Sequence, residues 1–171
     1  MKDEGKTSVN HRHTLNARES GIRAIVRRRG LTAADWRLLV AVAVAQVLAA
    51  AALRAMPMQA LRTAAGRVRG LARLLVKGSD ERKAWAIEAT GRRLGRLSTC
   101  LIRAMVAELV FDSDGGPVSL TIGVKRSAAG TIDAHAWLAR QDRLLIGGAT
   151  ADEYVPLVTW TGPCVITGWG K

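Results

Sequence analysis

Apolar residues recur with helical spacing over the first two thirds of the chain and alternate with polar ones over the last third. The sixteen residues from Leu38 to Leu53 carry no charge, seven of them are Ala, and Arg37 and Arg54 bracket the run. Thr32 followed by Asp35 approximates a capping box, so a helix is expected to start there. It should stop at Met56, because the residue before Pro57 is pushed out of the helical region. About twenty apolar residues are needed to cross a bilayer. The shorter run here is therefore expected to be a helix buried in the protein or against a partner, with a membrane-embedded segment as the alternative.

A second helix is expected from Met58 to Val76. Met58, Leu61, Ala64, Ala65, Val68, Leu71, Ala72 and Leu75 fall on one side, which predicts a core-facing surface. Arg62, Arg69 and Arg73 fall on the other and predict a solvated cationic back. Lys77-Gly78 closes this helix, and Ser79, Asp80 and Glu81 open a third that carries Trp85, Ile87, Leu94 and Leu97. Ser98 is read as the cap of a fourth helix, which contains Cys100 and continues to about Phe111.

Beyond Asp112-Ser113-Asp114-Gly115-Gly116-Pro117, a turn by composition, the period becomes two. Val118, Leu120, Ile122 and Val124 share one face of a strand, and Ser119, Thr121 and Gly123 share the other. A second strand runs from Thr131 to Arg140, with His135 on the same face as Asp133 and Trp137. A third, Arg143 to Ile146, is stopped by Gly147-Gly148. From Val158 to Lys171 there are strand-like pieces without a clear pattern. Helices first and short strands joined by tight turns afterwards imply an α+β chain, its antiparallel sheet packed on the fourth helix.

The 171 residues fit one domain with an appended arm, and the net charge is +12. That charge divides as +5 over residues 1–30, +8 over 31–99 and −1 over 100–171. The basic half could meet nucleic acid, an anionic membrane surface or an acidic peptide. Nucleic acid is disfavoured, since aromatic platforms are needed for stacking and only Trp36 and Trp85 lie in that half. Residues 1–30 read as a disordered basic arm, and 31–97 as a helical subdomain. His11 and His13 lack a neighbouring Cys or carboxylate cluster, so neither metal nor cofactor is expected. Two cysteines are too few for a disulfide framework, and Met1 to Lys6 does not resemble a secretory signal, which points to the cytoplasm.

The chemistry that this layout can assemble centres on Cys100 and His135. A cysteine in the first turn of a helix is favoured as thiolate by the helix dipole, and Arg96 and Arg103 push the same way. A histidine on a following strand can reach such a thiol when helix and sheet pack together. The alternative is a Cys100 that acts as a small buried hydrophobe.

Thr-Cys-Leu-Ile-Arg-Ala at 99–104, Leu-Thr-Ile-Gly-Val-Lys at 120–125, Ala-His-Ala-Trp-Leu at 134–138 and Leu-Ile-Gly-Gly at 145–148 resemble one known family. It is the transglutaminase-like leader peptidase of lasso-peptide biosynthesis. The resemblance covers about residues 32–157. It implies a papain-like or transglutaminase-like cysteine protease core over residues 98–171, with Cys100 as nucleophile and His135 as base. It also implies a ribosomally made precursor peptide as substrate. A separate leader-recognition protein and an ATP-dependent lasso cyclase are the implied partners. The family places an Asp about a dozen residues after the His, where this chain has Gly147. Orientation of the imidazole then falls to Asp133, Asp142 or Asp152, or to an amide or backbone carbonyl. Arg103 and Trp137 are candidate substrate contacts, with Arg62, Arg69 and Arg73 as a stripe that steers an acidic leader. Two other classes stay open: a non-catalytic adaptor for precursor or cyclase, and a basic protein that binds a membrane or nucleic-acid surface.

Overall fold

Thr32 caps the first helix. Its hydroxyl accepts the Asp35 backbone N–H at 3.2 Å while its own backbone N–H donates to the Asp35 carboxylate at 3.0 Å, so both halves of the expected capping box are present. The computed structural model describes residues 31–111, 116–127, 130–141, 143–148, 151–162 and 165–169, and the predicted N-terminal arm lies outside them. The first helix, α1 (Ala33–Ala55), ends where Met56 turns to extended backbone ahead of Pro57. Then come α2 (Met58–Leu75), α3 (Asp80–Leu94) capped by Ser79, a short 3-10 turn at Gly95–Leu97, and α4 (Cys100–Val110).

Five antiparallel strands follow: β1 (Val118–Arg126), β2 (Ile132–Arg140), β3 (Arg143–Ile146), β4 (Val155–Thr161) and β5 (Val165–Trp169). They lie in the order β3-β2-β1-β4-β5. The α+β expectation therefore holds, and the stretch that carried no clear pattern supplies part of β4 and all of β5. The period-two reading of β1 also holds. Val118, Leu120 and Ile122 join Ala136 and Leu138 of β2, Ile146 of β3 and Val158 and Trp160 of β4 in the core. Buried α4 residues Ala104, Met105, Val106, Ala107 and Val110 fill the other side of that layer, backed by Leu38, Leu39 and Val42 of α1 and Ile87 of α3.

The second helix is rotated part-way from the expected orientation: Met58 and Leu61 pack against the core as expected, and Ala65 and Ala72 are part-buried. Val68, Leu71, Leu74 and Leu75 are exposed, whereas Arg62 and Arg69 point inward. The reason is Glu108 on α4, a carboxylate whose side chain is only 5% exposed. A buried charge needs a partner, and Arg62 provides two hydrogen bonds to it, at 2.5 and 3.1 Å, with Arg69 at 3.8 Å. The Arg62 guanidinium also stacks 5.0 Å from the Trp160 ring centre. Burial lowers the pKa of Arg69, and the Glu108 charge opposes that shift. The predicted outward stripe of Arg62, Arg69 and Arg73 is thus corrected: these arginines are partly or largely buried, and Arg62 and Arg69 join α2 to α4.

Candidate active site

Cys100 opens α4. Its cap is Thr99, whose hydroxyl accepts the Ile102 N–H at 3.4 Å, and not Ser98 as the sequence suggested. The thiol still lies in the first helical turn, free and half-buried. Ser98 has a different task. It is buried and donates to the side-chain oxygen of Gln46, the one polar residue inside the apolar run of α1. The Gln46 amide nitrogen donates to Thr90 Oγ1 at 2.6 Å and to the Ile87 carbonyl at 3.2 Å. A fully satisfied buried network of this kind fixes one geometry, and here it pins the residue two before the thiol to α1 and α3.

Gly91 permits the close packing behind this junction. A Cβ at that position would lie 2.7 Å from Arg103 Cδ and 3.0 Å from Ser98 Oγ. Arg103, a candidate substrate contact, is committed to an ion pair with Glu88 at 2.7 Å. Cys164, Asp142 and the side chains of β5 lie outside the described residues.

His135 is on β2 opposite Gly123 of β1, and Trp137 is opposite Thr121, so His135, Trp137 and Asp133 share a face as expected. It is the face turned away from Ala136 and Leu138, which pack toward α4. Trp137 is buried rather than offered to a ligand. Its ring lies over Gly123, where a Cβ would come within 2.7 Å of it, and its Cβ side is met by Gly147. The imidazole stands between two rings, 5.0 Å from Tyr154 and 6.2 Å from Trp137 by centroid.

The orienting partner of His135 is the Gly147 backbone carbonyl, 2.6 Å from Nε2. Asp133 does not fill that place, because its carboxylate accepts the Tyr154 hydroxyl at 2.7 Å. That contact raises the Tyr154 pKa, with Lys125 opposing it from above the ring. A carbonyl only accepts, so Nε2 must carry a proton, and in the neutral imidazole the lone pair then belongs to Nδ1. Gly147 has φ +119, and a Cβ there would lie 2.4 Å from Trp137 Cβ. Only glycine brings its carbonyl so near the strand without collision. The Ile146-Gly147-Gly148 stop was the sequence signal for this contact, and Tyr154 had none.

Asp80 and Glu81, at the start of α3, pair with Arg140 and Arg143 at the β2–β3 turn. Ten residues on, Thr90 meets Gln46 beside Ser98, which ties the start of α4 to α3. His135 precedes Arg140 by five strand residues, about 16 Å at about 3.3 Å each. Cys100, at the start of α4, is on the helix side of the sheet and His135 is on the opposite face of β2, and no hydrogen bond joins them among the described residues. β3 stops pairing at Leu138, so no strand flanks β2 on that side at His135.

Residues 36–159 match the family described as the transglutaminase-like superfamily, a span that includes both residues and ends within β4. No curated protein and no solved structure matches the chain.

Proposed function

Because the chain belongs to the transglutaminase-like superfamily, which includes cysteine proteases, we propose that it is a cysteine peptidase that removes the leader from a ribosomally made precursor during lasso-peptide maturation. The observation that carries the reading is the hydrogen bond from His135 Nε2 to the Gly147 carbonyl, which leaves Nδ1 as the basic atom. In this reading substrate binding brings His135 and the thiol together, Nδ1 takes the Cys100 thiol proton, and the sulfur attacks the scissile carbonyl carbon. The carbon–nitrogen bond then breaks as the imidazolium returns its proton to the leaving amine. Water hydrolyses the thioester and regenerates the thiol. A separate leader-recognition protein delivers the precursor, and an ATP-dependent cyclase uses the freed amine. The setting is the cytoplasm.

A non-catalytic adaptor is the second reading, and the placement of His135 on the face of β2 turned away from α4 and Cys100 favours it. Mass spectrometry of a precursor incubated with the protein and the leader-recognition protein separates the two. The peptidase reading expects leader release that Cys100→Ala abolishes and His135→Ala slows about 10²–10⁴-fold. Binding of precursor without cleavage would establish the adaptor instead, and cleavage at the wild-type rate by Cys100→Ala would remove the thiol from the mechanism.

A further inference from the structure

The buried side of α1 is complete, and its opposite side is apolar and open. Trp36, Val40, Val44, Val47 and Leu48 are 42–63% exposed. At 3.6 residues per turn they form a single stripe. Arg37 and Arg54 stand at its two ends, about 25 Å apart at about 1.5 Å per residue, and no other charge intervenes. A second exposed patch, Val68, Leu71, Leu74 and Leu75 on α2, has Arg67 and Lys77 for exposed neighbours.

The charges select the occupant. Between residues 31 and 111 every carboxylate is in an ion pair: Asp35 with Arg82, Asp80 with Arg140, Glu81 with Arg143, Glu88 with Arg103 and Glu108 with Arg62. Arg37, Arg54, Arg67 and Lys77 have no carboxylate partner among the described residues. A second copy laid along the stripe would set Arg37 against Arg37 if parallel, or against Arg54 if antiparallel, so self-association brings like charges together. Nor can α1 cross a bilayer while its other side is buried through Leu38, Val42, Gln46 and Ala50, with Gln46 bonded to Thr90 and Ser98. An apolar stripe flat on the surface, cations at its ends and an aromatic ring beside one of them fit the interface of an anionic bilayer. There valines and leucines enter the acyl boundary and arginines reach phosphates.

We propose that α1, with the α2 patch, docks this protein onto anionic membrane surfaces. The proposal does not depend on the peptidase reading. The full chain would be sedimented with vesicles of phosphatidylcholine alone and of phosphatidylcholine with one-third phosphatidylglycerol. The expected result is partition onto the anionic vesicles only, with a blue shift in tryptophan emission that Trp36→Phe diminishes. Val44→Glu with Leu48→Glu should abolish partition, and Arg37→Gln with Arg54→Gln should weaken it about tenfold or more. Circular dichroism checks that each variant remains folded. The proposal is overturned if the wild-type chain stays in the supernatant with both vesicles, or if both double variants partition as the wild type does. A dimer in sedimentation velocity that Val44→Glu with Leu48→Glu dissolves, without vesicle binding, would assign the stripe to self-association.

Discussion

The two faces of β2 differ in what they hold: an apolar layer on one, and on the other the histidine to which the peptidase reading gives the chemistry. Ala136 and Leu138 on one face are locked into the apolar layer under α4. One residue along, His135 and Trp137 belong to a face of hydroxyls and rings, where Thr121 bonds Thr159 at 3.0 Å and Ser119 bonds Thr161 at 3.1 Å. Alternation lets a single strand do both, because neighbouring side chains never compete for the same space. A base on the outer face can gain and lose a proton without placing a charge in the core.

Breaking the inner face should have the largest effect on stability. Leu138 is fully buried, so Leu138→Ala should lower the unfolding free energy by about 2–5 kcal/mol in chemical denaturation. His135→Ala in the same assay should change it by less than about 1 kcal/mol. Equal losses would mean that the division of labour does not exist.

Gly147→Ala tests the border between the faces. The added methyl meets Trp137, and the positive φ penalises it further, so a loss of about 1–3 kcal/mol is expected. On the peptidase reading, activity should fall further than that loss explains, because the imidazole loses its anchor. Activity that merely follows the folded fraction would show that the carbonyl contact is incidental.

Thr121→Val on the outer face removes one hydrogen bond at nearly constant shape. It should cost about 1 kcal/mol and leave catalysis unchanged. A marked fall in turnover would extend the site to this hydroxyl row.

Acid should produce the smallest difference. Thr32 holds Asp35 below its ordinary value of 3.8, and Arg143 holds Glu81 below 4.5. Their stabilisation is complete above those values and is lost as pH falls through the lower folded-state ones. Asp35→Asn and Glu81→Gln should therefore flatten the acid limb of a stability curve. At neutral pH Glu81→Gln should cost about 1 kcal/mol or less, and Asp35→Asn, at a buried capping carboxylate, about 1–3 kcal/mol. An unchanged acid limb would place the pH dependence elsewhere.

Much of this organisation was legible before folding. Thr32 with Asp35, Pro57 and Ser79 announce helix ends through local hydrogen bonding and backbone sterics, and β1 announces its faces by strict alternation. The orientation of α2 was legible only in part: Met58 and Leu61 go in as their spacing suggests, but periodicity could not show that arginines would share the buried side. That choice was made by Glu108, forty-six residues beyond Arg62 and buried where only a cation could balance it. The pairing of Ser98 with Gln46 was hidden for the same reason. Cys100 and His135 could be singled out by residue type and motif, but the hydrogen-bond partner of the imidazole depended on where the chain after β3 came to lie.

Point mutation exchanges side chains and leaves every peptide carbonyl in place. An imidazole held by the Gly147 carbonyl therefore relies on a group that no codon specifies, and lineages could drift widely in sequence while the turn kept it in position. A scan of substitutions would register it only indirectly, as an intolerance of anything larger than glycine at 147.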